Sequence, residues 1–174
     1  FQNAQPATDK NGKPLNPDPS KLGAFGIVPI DKFPPGGRVG VGTQIREFAD
    51  GTRNTLLLSE LLTWDAPAGT DDDGPYSDDW RGVWILPGIG ANTFTARNPP
   101  NSPNGDRIPS CGSGIPPEDR DRRACSENTT SGVTWASARS RHNGGVNAAM
   151  ADGSVHFVRE AIDPATWQGL ATRA

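Results

Sequence analysis

Carboxylates are concentrated in one short stretch of the chain. Residues 71–79 read DDDGPYSDD, with five aspartates around one glycine. Hard oxygen ligands on a glycine-containing loop are what Ca²⁺ requires, so Asp71, Asp73, Asp78 and Asp79 are candidate calcium ligands. The EF-hand spacing and its final glutamate are missing, which leaves a solvated acidic loop as the alternative interpretation. Ca²⁺ is the one cofactor that the sequence suggests.

Residues for a nucleophilic triad exist, but no motif arranges them. Ser59, His142 and Asp152 supply the three residue types on paper. Ser59 lies between Leu58 and Glu60, without the G-x-S-x-G turn that exposes a catalytic serine. No phosphate-binding glycine loop follows a strand pattern. We therefore expect no catalytic residues and no enzymatic activity.

The two histidines do not suggest a zinc centre built from nitrogen and sulfur ligands, because the chain offers too few of them. His156 alternates with Val155 and Phe157, which predicts an exposed position on a strand. His142 precedes Gly144 and is predicted to hold a loop by hydrogen bonding.

Cys111 and Cys125 are the only cysteines of the chain. Their spacing fits neither a CxxC redox pair nor a four-ligand zinc site. A disulfide closing a loop of about 15 residues would stabilise the fold by roughly 3 kcal/mol. We expect this disulfide and hence an oxidising, exported location, with two free thiols as the alternative.

Composition limits the fold class. The chain has 174 residues, 33% of them apolar, and Gly (21) and Pro (17) make up about one residue in five. This excludes a coiled coil or helical bundle, while five tryptophans argue against disorder and are expected mainly in the core, with a sugar-stacking platform as the alternative. The net charge of −3 gives no reason to expect nucleic acid. No apolar stretch approaches the ~20 residues that span a bilayer.

The organisation predicted from the sequence is one α+β domain with a leading arm. Residues 1–22 are polar and proline-rich and are predicted to be an extended linker or arm. Residues 23–174 form the globular domain, and residues 87–131 form a loop-rich insertion with almost no periodicity.

Short elements are predicted within that domain. Asp152-Gly153 between two apolar runs predicts a β-hairpin. Asp163-Pro164 opens a short helix that runs to about residue 171. A helical turn is expected over 43–48, with Ile45 and Phe48 facing inward. The predicted strands cover residues 23–30, 54–62 (buried) and 80–86, and the hairpin pair 146–150 and 155–158.

Two stretches resemble a known family. Residues 50–60 (DGTRNTLLLSE) resemble its D-G-T-x-N-T-apolar-x-E signature. Residues 139–147 (RSRHNGGVN), followed by DGSV at 152–155, ID at 162–163 and Trp167, resemble its C-terminal signature. The family is the bacterial pseudopilin-like set with a prepilin-type N-terminal cleavage and methylation segment and a C-terminal domain of unknown function, number 1559.

The resemblance implies a pilin-like antiparallel sheet with long irregular loops, and an N-terminal helix that this chain lacks. It implies a non-enzymatic, exported structural subunit that self-associates into an extracellular filament or secretion-associated pseudopilus and meets the membrane only through the missing helix. The alternative is a secreted or cell-surface binding module, with a calcium-stabilised acidic loop, that recognises carbohydrate or protein. These interpretations place the chain outside the cell or at its surface.

The family's motif positions are interpreted as structural. Asn and Asp beside Gly make turns, and a buried Glu60 needs a donor. We expect Glu60 to pair with Arg139 or Arg141 and so to fix the 56–62 strand against the terminal hairpin. The matched motif residues are Asn54, Glu60, Arg139, His142, Gly144, Gly145, Asn147, Asp152 and Gly153.

Overall fold

A three-stranded antiparallel sheet is the centre of the fold. The structure, a computed structural model, describes residues 23–24, 43–63, 79–85, 88–112, 124–127 and 134–173. The sheet consists of β1 (Leu56–Ser59), β4 (Gly145–Met150) and β5 (Val155–Arg159), in the order β1-β4-β5. The predicted α+β class with an antiparallel sheet is confirmed. The remaining elements are a 3₁₀ helix (Ile45–Glu47), β2 (Asp106–Ile108), β3 (Cys125–Glu127) and α1 (Pro164–Leu170).

The β4–β5 hairpin has the turn that the sequence predicts. Gly153 has φ 86°, and its N–H donates to the Met150 carbonyl at 2.9 Å. Asp152 Oδ1 accepts from both the backbone N–H (2.9 Å) and the hydroxyl (2.7 Å) of Ser154. These hydrogen bonds, led by the one from the hydroxyl, hold the pKa of the Asp152 carboxyl below its usual value. Local hydrogen bonds therefore close the hairpin, and the N–H groups of Ala151 and Asp152 also donate to the Thr55 and Thr52 carbonyls.

One face of the sheet covers the main core. Alternation along β4 turns Val146, Ala148 and Met150 to this inner face, where all three are buried. The Trp167 indole of α1 is fully buried against them and stacks on Phe94, with ring centroids 6.3 Å apart. Apolar burial of this kind is the main favourable term for so short a set of elements.

Helix α1 begins where the sequence predicts. Asp163 caps it, since its Oδ1 accepts from the Thr166 N–H at 2.8 Å, and Pro164 occupies the first helical position. That backbone hydrogen bond is the main cause of the lowered pKa of the Asp163 carboxyl. The cap directs Trp167 onto the sheet.

The insertion at 87–131 contains two strands that the sequence does not predict. Strands β2 and β3 pair in parallel, with Asp106 opposite Cys125. Ile108 is fully buried and packs with Ile89 and Ala136 in a second small core that the two cysteines contact. The described part of the insertion thus has a small core of its own, and it also contributes Phe94 and Ala96 to the main core.

The strand predicted at residues 80–86 is wrong over its described part. Residues 81–82 and 84–85 form turns, and Gly82 has φ 79°. Asp79 and Arg81 form a buried ion pair two residues apart, which closes the backbone into a turn instead of extending it. Trp84 is consequently 81% exposed.

Three further predictions fall short. Of the predicted strand 54–62 only Leu56–Ser59 forms a strand, and it is buried on one face only, since Leu58 is 57% exposed. Ile45 is 79% exposed and not inward-facing. The tryptophans are expected mainly in the core, which holds for Trp167 but not for Trp84. Residues 1–22 and most of 23–30 lie outside the described residues, and no helix among those described is long and apolar enough to cross a membrane.

Candidate functional site

The second face of the sheet is apolar and exposed. Cross-strand partners lie on the same face, and Leu58 is opposite Ala149, which is opposite Val155. Phe157 lies two residues further along β5, on the same side. Leu58, Val155 and Phe157 remain 57%, 65% and 50% exposed. We call this row of Leu58, Ala149, Val155 and Phe157 the outer face.

A polar cluster adjoins the outer face. Alternation after Leu58 turns Glu60 to the same side as Asn147, which is opposite Phe157. Glu60 Oε1 lies 3.0 Å from His142 Nε2 and 3.3 Å from Asn147 Nδ2, and Glu60 Oε2 accepts from the Asn147 backbone N–H at 2.7 Å. His142 Nε2 also lies 3.1 Å from Asn147 Nδ2. The cluster therefore brings together three of the sequence-predicted motif residues.

The loop that presents His142 is fixed by hydrogen bonds between side chains and the backbone. The His142 N–H donates to Ser140 Oγ (3.1 Å), and that hydroxyl donates to the Gly145 carbonyl (2.7 Å). Asn101, a non-glycine residue at φ 52°, accepts from the Ser140 N–H and donates to the same Gly145 carbonyl. His142 is thus a loop residue held by hydrogen bonds, as predicted, whereas Asn101 is not among the predicted site residues.

Two glycines shape this loop for different reasons. Gly144 has φ 79°, in the left-handed region that favours glycine. Gly145 is buried in β4, where a Cβ atom would overlap the Val158 carbonyl oxygen and lie 2.9 Å from the Phe157 ring. The Phe157 ring therefore lies directly against the Gly145 backbone.

The expected pairing of Glu60 with Arg139 or Arg141 is wrong for Arg139. The Arg139 guanidinium is buried and binds Asp106 instead, while its backbone N–H donates to the Glu60 carbonyl at 2.9 Å. Asn147 and His142 hold the Glu60 carboxylate. Glu60 does join the end of β1 to the terminal hairpin, but its partners are the Asn147 amide and the His142 imidazole and not the Arg139 guanidinium.

The motif residues lie within a segment of the chain that matches a protein-family model. Over residues 4–165 the chain matches the model described as "Protein of unknown function (DUF1559)". The chain belongs to this family. No curated protein and no solved structure matches it.

In this DUF1559 chain, Asp79 is unsuited to the role of calcium ligand that the sequence predicts for it. Both of its oxygens bind Arg81, and Oδ2 also accepts from the Gly112 N–H at 2.7 Å. Asp79 is 6% exposed, so a cation would have to displace this buried pair. Asp71, Asp73 and Asp78 lie outside the described residues.

The disulfide predicted between Cys111 and Cys125 is confirmed. Asp79 Oδ2 approaches Cys125 Sγ to 3.8 Å, so three potential ligand atoms lie close together. The two sulfurs are bonded to each other and supply no thiolate, which removes them as metal ligands. The disulfide instead joins β3 to the second core and to the Asp79 turn.

The structure does not bring Ser59, His142 and Asp152 together as a catalytic triad. The Ser59 hydroxyl donates to the Asn147 carbonyl, His142 contacts Glu60, and Asp152 accepts from Ser154 in the hairpin turn. His156 is exposed on β5, as predicted, and its Nε2 lies 3.1 Å from the Ser154 hydroxyl. Each of these residues has a separate structural partner.

Proposed function

We propose that this chain is a non-enzymatic, exported structural subunit, pilin- or pseudopilin-like, that self-associates into an extracellular filament or secretion-associated pseudopilus. The outer face is the observation that carries the proposal. It places Leu58, Val155 and Phe157, each at least half exposed, on a paired sheet. Full burial of such a side chain contributes up to roughly 1.5–3 kcal/mol, so a contact across this face is favourable.

A second exposed apolar surface supports open-ended assembly. Trp84 and Ile85 are 81% and 64% exposed in the turn segment 79–85, which is not part of the sheet. Two unlike surfaces that contact each other head to tail generate a helical filament when the rotation does not close. We infer that the outer face of one copy contacts the Trp84–Ile85 surface of the next.

The disulfide supports export. Disulfides persist in oxidising compartments and are rare where thiols are kept reduced. The Cys111–Cys125 bond lies against buried Ile108 and is part of the packed fold. An extracellular or cell-surface location follows as part of the proposal.

Immunogold electron microscopy of material sheared from producing cells tests the proposal. We expect label along fibres in the wild type, and loss of labelled fibres with Phe157→Ser or Trp84→Ser. Ile45→Ser is the matched control, because Ile45 is 79% exposed but lies in the 3₁₀ helix, outside both surfaces. Wild-type label scattered over cells without fibres would overturn the proposal and favour a binding module.

Mixing the purified variants tests the pairing of the two surfaces. Phe157→Ser retains one intact surface and Trp84→Ser retains the other, so an equal mixture should form dimers that cannot extend. Sedimentation velocity measures the species. A mixture that remains entirely monomeric while the wild type associates would contradict the inferred head-to-tail contact.

A further inference from the structure

Three side-chain atoms of the polar cluster form a nearly equilateral triangle. His142 Nε2 and Glu60 Oε1 are 3.0 Å apart, His142 Nε2 and Asn147 Nδ2 are 3.1 Å apart, and Asn147 Nδ2 and Glu60 Oε1 are 3.3 Å apart. The side chains of His142 and Glu60 are 54% and 32% exposed, so water reaches the triangle. The cluster contains one imidazole, one carboxylate and one amide.

With the Asn147 amide nitrogen facing it, neither tautomer of neutral His142 suits both neighbours, whereas a half turn of the amide would let the Nε2–H donate to both. If Nε2 carries the proton, it donates to Glu60 but faces an N–H of Asn147 at 3.1 Å. If Nε2 is unprotonated, it accepts from Asn147 but points its lone pair at the Glu60 carboxylate. A cation in place of the proton would also satisfy the cluster once Asn147 Oδ1 replaces Nδ2, because all three ligand atoms could then point a lone pair at one centre.

The spacing also suits a metal ion. Zinc takes imidazole nitrogen and carboxylate oxygen at about 2.0–2.2 Å, so two ligands on one ion lie about 3.0–3.4 Å apart at octahedral to tetrahedral angles. The amide of Asn147 exchanges Oδ1 for Nδ2 by half a turn, which places an acceptor at the third corner. We propose that Glu60, His142 and Asn147 bind a divalent transition-metal cation through one nitrogen and two oxygens, with water completing the coordination.

The ligands are already held in place. Glu60 Oε2 accepts from the Asn147 N–H, and Asn147 itself lies in the middle of β4. The His142 backbone is fixed through Ser140, and the imidazole edge contacts Phe157 with ring centroids 6.4 Å apart. Side chains that are ordered before binding lose less conformational entropy on binding, which favours affinity.

The donor set favours a transition metal over calcium. Imidazole is a ligand for Zn²⁺, Cu²⁺, Fe²⁺ and Ni²⁺, whereas Ca²⁺ takes six to eight oxygens. The single glutamate charge attracts a dication without the repulsion of a carboxylate pair. This binding site goes beyond the assembly proposed above and does not depend on it.

Calorimetric titration with ZnCl₂ tests the site in the intact chain, after treatment with EDTA and in buffer without reductant. We expect one Zn²⁺ per chain. His142→Ala and Glu60→Gln should each weaken binding at least about tenfold, since loss of even an outer-shell partner has that effect. His156→Ala is the matched control, because His156 is the other histidine and lies on the exposed hairpin.

Two outcomes would overturn the proposal. One is no binding of Zn²⁺ to the wild-type chain, and the other is wild-type affinity in His142→Ala, which would place the metal elsewhere, such as the acidic stretch 71–79. Nitrogen-15 spectra of the imidazole provide an independent readout, because His142 Nε2 should shift on zinc addition and His156 should not. Performing these titrations on Trp84→Ser, which lacks one of the two assembly surfaces and leaves Glu60, His142 and Asn147 unchanged, separates failure of metal binding from failure of self-association.

Discussion

Arg139 and Asp106 form a bidentate ion pair in which both residues are 1% exposed. Arg139 Nε donates to Oδ2 at 2.9 Å and Nη2 donates to Oδ1 at 2.8 Å. Arg139 Nη1 donates to the Ser102 carbonyl, and Nη2 also donates to the Asn104 carbonyl. The pair therefore anchors β2 of the insertion to the segment that enters β4, with the hydrogen bonds that a buried charge needs.

Asp106→Ala should be strongly destabilising. It leaves the Arg139 guanidinium buried without its counter-charge, and breaking such a pair costs about 3–5 kcal/mol. Urea unfolding followed by circular dichroism measures the change. Glu60→Gln is the control, because Glu60 is partly exposed and a glutamine oxygen still accepts from the Asn147 N–H; we expect a loss of about 1 kcal/mol or less. Equal losses for the two variants would contradict the prediction.

Gly145→Ala should be far more harmful than Gly144→Ala. A methyl group at position 145 overlaps the Val158 carbonyl and meets the Phe157 ring, so β5 has to separate from β4. At position 144 the space is open and only the left-handed φ opposes alanine, at roughly 1 kcal/mol. Thermal unfolding of the two variants compares them. A Gly145→Ala midpoint equal to that of Gly144→Ala would show that the sheet does not have this close approach.

Locally encoded elements could be predicted from the sequence. The hairpin depends on Asp152-Gly153 and the helix on Asp163-Pro164, and in both cases the side chain that makes the hydrogen bond lies within three residues of its partner. Residues 80–85 do not form the predicted strand, although alternating tryptophan, glycine and leucine are typical of one. The Asp79–Arg81 pair and the positive φ of Gly82 override that pattern.

Partners distant in sequence could not be predicted in the same way. Arg139 binds Asp106, 33 residues away, and Glu60 binds Asn147, 87 residues away. Nothing in the spacing of the motif residues distinguishes one buried acceptor for Arg139 from another. The exposure of Leu58 could not be predicted either, because three consecutive leucines show no alternation of apolar and polar residues that would indicate which one faces outward.

Removing the disulfide should destabilise the second core. Cys111→Ala/Cys125→Ala should lose roughly 3 kcal/mol, since the bond closes a loop of about 15 residues. Urea unfolding measures the loss without reductant. Adding dithiothreitol to the wild type should reproduce this loss, and adding it to the double variant should change nothing. A wild type insensitive to reductant under conditions that break the bond would contradict a stabilising role.

Asp152 and Asp163 should make the fold sensitive to acid. Each has a pKa lowered from 3.8 in the folded chain, mainly by the Ser154 hydroxyl at Asp152 and by the Thr166 backbone N–H at Asp163. A lowered folded pKa means that the stabilisation is fully present above the unfolded value and is lost as pH falls through the folded value. Asp152→Asn/Asp163→Asn should therefore lose less stability than the wild type between about pH 5 and pH 2, since asparagine also caps helices and cannot titrate.

Carboxyl carbon-13 titration of the folded protein checks the cause directly. Both aspartates should show midpoints below 3.8, and Ser154→Ala should raise the midpoint of Asp152 while leaving Asp163 unchanged, because the hydroxyl is the leading cause at Asp152 alone. The backbone N–H of residue 154 remains in that variant, so the shift at Asp152 should shrink without vanishing. A Ser154→Ala chain with an unchanged Asp152 midpoint would assign the lowered pKa to the backbone and not to the hydroxyl.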